Sequence, residues 1–127
     1  MEKDIIFTEK APAPIGPYSQ AVEADGTLYC SGQIPVDPAT GDIPETAEAQ
    51  ARQVLSNLRA VIEEAGAELE DVVKTTIYLT DLRTFATVNA IYGEYFDEET
   101  APARSTVQVA ALPKGVLIEI DAIAVLD

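Results

Sequence analysis

The stretch that most limits the fold of this chain runs from Pro102 to Asp127, PARSTVQVAALPKGVLIEIDAIAVLD. It reads as two β-strands joined by a Leu-Pro-Lys-Gly turn, because Pro113 and Gly115 break both helix and ladder. From Val116 to Val125 the residues alternate with period two and so sort onto two faces. One face carries Val116, Ile118, Ile120, Ala122 and Ala124, all apolar and small enough to lie under helices. The other carries Leu117, Glu119, Asp121, Ile123 and Val125, two acids among large apolar residues. In the first strand Arg104, Thr106 and Gln108 share a face, and Val107 and Val109 take the opposite one. If the valines join the core, Arg104 and Glu119 project from the same side of the sheet. An Arg and a Glu set among Leu, Ile and Val point to a surface covered by another subunit, with a pocket left in it.

The remaining segments supply an α+β plan. Asp4 to Thr8 reads as a short edge strand, and the prolines and Gly16 of APAPIGPYSQAV then impose an extended, turning path. That stiff loop delivers Tyr18 either to a pocket or as a plug at the core edge. Ala21 to Glu23 and Thr27 to Ser31 form a hairpin about Asp25-Gly26. Leu28 and Cys30 share its inner face, and Cys30 reads as a small buried hydrophobe. Ser31-Gly32-Gln33 ends the strand, with Gly32 permitting close backbone approach. Thr46 to Ala65 is a helix by its apolar spacing, capped by Gly66. Val72 to Leu79 is a strand with Val73, Ile77 and Leu79 facing one way. Asp81 opens a second helix with Phe85, Val88, Tyr92 and Phe96 on its apolar face. Asn89 sits at the edge of that face, paired with a backbone carbonyl, a subunit contact or a ligand. The result is one domain over residues 1–127, a mixed sheet with both helices on one face and an exposed back that needs a cover.

Composition removes whole classes of function. The chain of 127 residues carries 22 acids against 8 bases, a net charge of -14, and no His. A phosphate backbone is repelled by that field, so no nucleic-acid partner is expected. Without His, and with only Cys30, there is neither a Cys/His zinc site nor a Ser-His-Asp triad, and no metal is expected. Chemistry must run on Arg, carboxylates, hydroxyls and backbone groups. The 47% hydrophobic content and mean hydropathy of +0.07 mildly favour burial in an oligomer. No apolar run reaches the roughly 20 residues that span a bilayer, so no membrane partner is expected. The lone cysteine and the absence of a signal-peptide pattern imply a cytoplasmic protein.

The segments IGPYSQAV, SGQIPVDPATG, QVLSNLRAVIEEAG, DVVKTTIYLTDLRTFATVNAIYGEYF and PARSTVQVAALPKGVLIEIDAIAV resemble the RidA (YjgF) family of reactive imine deaminases. The resemblance runs from Ile5 to Ala124 with five motifs in order. It implies a chorismate-mutase-like subunit in a homotrimer whose sheets form a central barrel, with active sites between neighbours. It also implies cofactor-free hydrolysis of 2-imino acids, such as 2-iminobutanoate and 2-iminopropanoate released by pyridoxal-phosphate-dependent dehydratases, to 2-oxo acids and ammonia. On this resemblance Arg104 binds the substrate carboxylate and Glu119 holds the attacking water. Tyr18, Ser31, Gly32 and Asn89 surround the substrate. Many deaminases of the family carry Cys two residues after the arginine, where this chain has Thr106, another substrate-site position. Two other readings accompany it: a trimer that binds small carboxylates or acts as a chaperone without catalysis, and a translation-inhibiting ribonuclease, which the acidic charge disfavours. From the residues alone, Arg104 serves equally as an interface ion pair to Glu119 or Asp121.

Overall fold

In a computed structural model describing residues 2–126, one six-stranded sheet carries two helices on a single face. In chain order the elements are β1 (Lys3–Ile6), β2 (Ala21–Ala24), β3 (Thr27–Gln33), α1 (Ala47–Glu64), β4 (Val72–Leu79), α2 (Phe85–Tyr95), β5 (Ala103–Gln108) and β6 (Ile118–Val125). The sheet order is β1-β2-β3-β6-β4-β5, antiparallel except where β5 runs parallel to β4. No helix among the described residues is long and apolar enough to cross a membrane.

Local chemistry accounts for each boundary. Asp25 (φ 53°) and Gly26 (φ 82°) supply the two left-handed residues of a tight turn between β2 and β3. Thr46 caps α1 by accepting a hydrogen bond from the Ala49 amide. At the other end Gly66 (φ 87°) reverses the chain, while its own and the Ala67 amide satisfy the Glu63 and Ile62 carbonyls. Asp81 caps a turn of 3₁₀ helix, Leu82–Thr84, and α2 proper begins only at Phe85. The edge strand stops at Ile6 rather than Thr8, because both backbone groups of Thr8 turn onto the Gln20 side chain.

The alternation seen in β6 decides the core. Val116, Ile118, Ile120, Ala122 and Ala124 are all buried, the last four in the core under α1 with Leu28, Cys30, Ile77 and Leu79. Their solvent-side neighbours form an uncovered apolar face that also exposes Tyr29, Val73, Val107 and Val125. Val73 was expected inside; an irregularity in the β4–β6 register between Val72 and Lys74 buries Val72 instead.

The last two strands depart furthest from expectation. They do not pair: β4 lies between them, and the Leu-Pro-Lys-Gly segment crosses over it as a 3₁₀ turn instead of closing a hairpin. The parallel unit β4-α2-β5 sets Arg104, Thr106 and Gln108 beside Thr75, Ile77 and Leu79, on the helix side. Val107 is 40% exposed on the other side. Arg104 and Glu119 therefore sit on opposite faces of the same sheet, because β5 takes its facing from β4 and not from β6.

Candidate active site

On the outer face, β3 bulges where it meets β6. Cys30 pairs with Ala122 and Gln33 with Ile120, so Ser31 and Gly32 together oppose Asp121. The bulge has a use. A Cβ at position 32 would lie 2.7 Å from Cδ of Glu119, so the carboxyl rests in space that only glycine leaves empty. Burial pushes the Glu119 carboxyl above its ordinary range, and the negative charge of Asp121 two residues along adds to the rise. Asp121 is itself oriented by Tyr78, whose hydroxyl donates to it at 3.0 Å.

Glu119 opens into a cavity of about 480 Å³ bounded by Tyr18, Ser31, Gly32, Ile34, Pro113 and Lys114. Ser31 fastens the Tyr18 loop by donating to the Ser19 carbonyl at 2.6 Å, and the Tyr18 hydroxyl accepts from the Ile15 amide. Tyr18 is half exposed here and lines the cavity; it does not plug the core. Four of the anticipated residues, Tyr18, Ser31, Gly32 and Glu119, thus meet in one place.

The segments around the cavity are held by three buried amides that carried no recognisable signal in the sequence, one of which reaches the wall residue Ile34. Gln20, 1% exposed, accepts from the Thr8 amide and donates to the carbonyls of Thr8, Ala11 and Pro12. Asn57 reaches from α1 to the Ile34 and Val36 carbonyls. Gln50 ties Pro44 to Leu117. A polar residue in a helix or proline-rich loop reads as solvent-facing until the fold shows which carbonyls surround it.

The other anticipated residues gather elsewhere. Arg104 donates from Nη1 to Oδ1 of Asn89 at 2.8 Å, and its Cζ lies 4.9 Å from the Tyr92 ring centre and 5.4 Å from that of Phe85. Thr106 follows on the same side of β5, half-buried. Among the described residues no carboxylate lies within ion-pair distance of Arg104, so the ion pair to Glu119 or Asp121 is absent within the chain. Arg52 and Arg83, by contrast, are matched to Glu94 and Asp81. The partners of Arg104 were legible in part: Phe85, Asn89 and Tyr92 recur at helical spacing, but as a core face rather than a platform.

Comparison with known proteins settles the family. Residues 8–126 match the family model described as Endoribonuclease L-PSP. A Rid-family protein from Yersinia pestis, YyfA, superposes with a TM-score of 0.96 at 52% identity, covering 98% of this chain and all of the other. The chain belongs to the RidA family. Among RidA-family relatives, a 2-iminobutanoate/2-iminopropanoate deaminase of Escherichia coli is 56% identical over 122 residues, 94% of this chain and 95% of that protein. A RutC family protein of Synechocystis is 59% identical over 128 residues, 99% of this chain and 98% of its own length. Escherichia coli TdcF, solved with bound serine, superposes with a TM-score of 0.93 at 49% identity, covering 98% and 99% of the two chains.

Proposed function

We propose that this RidA-family chain hydrolyses 2-imino acids, 2-iminobutanoate and 2-iminopropanoate among them, to 2-oxo acids and ammonia. One observation carries the reading: a guanidinium held by the Asn89 amide over the Phe85 and Tyr92 rings, which meets no acid among the described residues, is left for a carboxylate from outside. The name of the Escherichia coli relative and the serine bound by TdcF support a small amino-acid-like substrate.

In this reaction Arg104 grips the substrate carboxylate through a charge-assisted fork. Glu119, as carboxylate, takes a proton from a water attacking C2 of the iminium. The carbinolamine so formed receives that proton on nitrogen; its hydroxyl proton then passes to Glu119 as the C–N bond breaks, leaving the 2-oxo acid, and the released ammonia takes that proton to depart as ammonium. The iminium carbon is already electrophilic, so positioning water and moving one proton are the tasks that remain. Arg104, Glu119, Tyr18 and Asn89 can do these without a cofactor.

The two halves face opposite ways in one chain, so a working site needs Arg104 of one copy beside Glu119 of another. A homotrimer with the apolar sheet faces turned inward supplies that arrangement and covers Tyr29, Val73, Val107 and Val125. Co-refolded Arg104→Ala and Glu119→Gln chains test both points through ammonia release from freshly generated 2-iminobutanoate. Each variant alone is expected to be nearly inactive. A one-to-one mixture should recover about a quarter of the wild-type rate, because two independent halves are each intact half the time. No recovery would place both groups in one protomer, and full activity of either variant alone would refute the site.

A further inference from the structure

The buried polar pair behind Arg104 is not explained by packing alone. Thr75 is fully buried on β4, where the parallel register sets it beside Arg104 on the same face of the sheet. Its neighbours along that face are Ile77 and Leu79, so Val would fill the same space with no hydrogen bond to satisfy. The hydroxyl of Thr75 meets that of Tyr92 at 2.7 Å. Tyr92 is 5% exposed, stacks on Phe96 with ring centres 4.6 Å apart, and lies under the Arg104 guanidinium. Phe85, Asn89 and Tyr92 thus present ring, amide and ring along one side of α2, and the guanidinium rests across all three.

We propose that Thr75 and Tyr92 are positioning residues: their hydrogen bond fixes the aromatic platform that holds Arg104 ready for the substrate carboxylate. The proposal rests on the reading of Arg104 as the carboxylate clamp. A guanidinium has five N–H donors, and among the described residues only Nη1 is engaged, with a neutral acceptor. The Nε–Nη2 edge stays free for a bidentate contact. A loose arginine surrenders rotamer freedom whenever it binds, whereas one stacked on fixed rings has surrendered it on folding. The platform lowers the binding cost without touching the reacting atoms.

Five variants test this: Thr75→Val, Tyr92→Phe, the double variant, Thr75→Ser and Arg104→Ala. The measurements are calorimetric binding of 2-oxobutanoate, a stable carboxylate resembling the product, steady-state kinetics on 2-iminobutanoate, and Tm. The single variants and the double are expected to bind 2-oxobutanoate about 3- to 10-fold more weakly. KM should rise in proportion while kcat stays within about twofold. The double variant, with both hydroxyls gone, should recover much of the Tm lost in the singles yet still bind weakly. Thr75→Ser should bind like wild type. Recovery of both Tm and binding in the double variant would show a purely structural pair and overturn the proposal. Unchanged binding in the pair variants beside a non-binding Arg104→Ala would overturn the proposal and spare the clamp. Wild-type binding by Arg104→Ala would overturn the clamp and the proposal with it.

Discussion

The two halves of the site are built by contrasting means. Around Arg104 the chain supplies shape: rings beneath the guanidinium and one amide at its tip, with the charge still open to solvent. Around Glu119 it supplies environment: Gly32 leaves room for the carboxyl, while half-burial and a second acid raise its affinity for its proton. A permanently charged group needs only to be aimed, whereas a group that must gain and lose a proton needs its surroundings adjusted. Substitutions on the Arg104 side should accordingly appear in binding, and those on the Glu119 side in rate and pH dependence.

The sharpest separation comes from Glu119→Gln. The amide still orients water but cannot accept its proton, so kcat should fall about 10²- to 10⁴-fold while 2-oxobutanoate binds nearly as before. Comparable losses of binding and rate in calorimetry and kinetics would erase the distinction between the halves. Arg104→Ala comes next, with kcat/KM for 2-iminobutanoate lowered roughly 30- to 1,000-fold and the molar mass by light scattering unchanged. Arg104→Lys should recover little, since a point charge does not reproduce the fork.

Gly32→Ala probes the environment of Glu119 without removing a catalytic group. The new methyl meets the end of a flexible side chain, so the carboxyl swings aside and the fold is largely spared. Activity should drop about 10- to 100-fold through misplacement, with little change in Tm; a large fall in Tm would mean that the bulge itself had collapsed. Asp121→Asn has the smallest expected effect and the most particular signature. Activity needs ionised Glu119, so it is lost as pH falls through a raised pKa. Removing the neighbouring negative charge lowers that pKa and moves the acid limb of the kcat profile to lower pH. An unmoved acid limb would assign the limb to another group.

How much of this was legible beforehand differs by element. The alternation of Val116 to Val125 identified the buried face of β6 residue by residue, because period two is a property of the strand alone. Helix α1 and its glycine cap were legible for the same reason. The relation between Arg104 and Glu119 was not, since it depends on which strand lies between β5 and β6. Alternation within each strand is silent on pairing. Thr75 carried no mark either: its hydroxyl matters only because the register brings Tyr92 of α2 over it. Asn89 was recognisable as a polar residue beside an apolar helix face, but its partner turned out to be another side chain of the candidate site.

The buried amides of Gln20, Gln50 and Asn57 have a consequence for time as well as shape. The amide protons of Thr8 and Leu117 donate to side-chain oxygens, outside any strand or helix. In hydrogen exchange such protons should wash out with the core rather than with the irregular segments that contain them, since freeing either requires a buried amide to lose its partners. Asn57 holds the carbonyl of Ile34, a wall residue, so that part of the cavity would open on the clock of global unfolding, and a substrate would meet a receptacle already set.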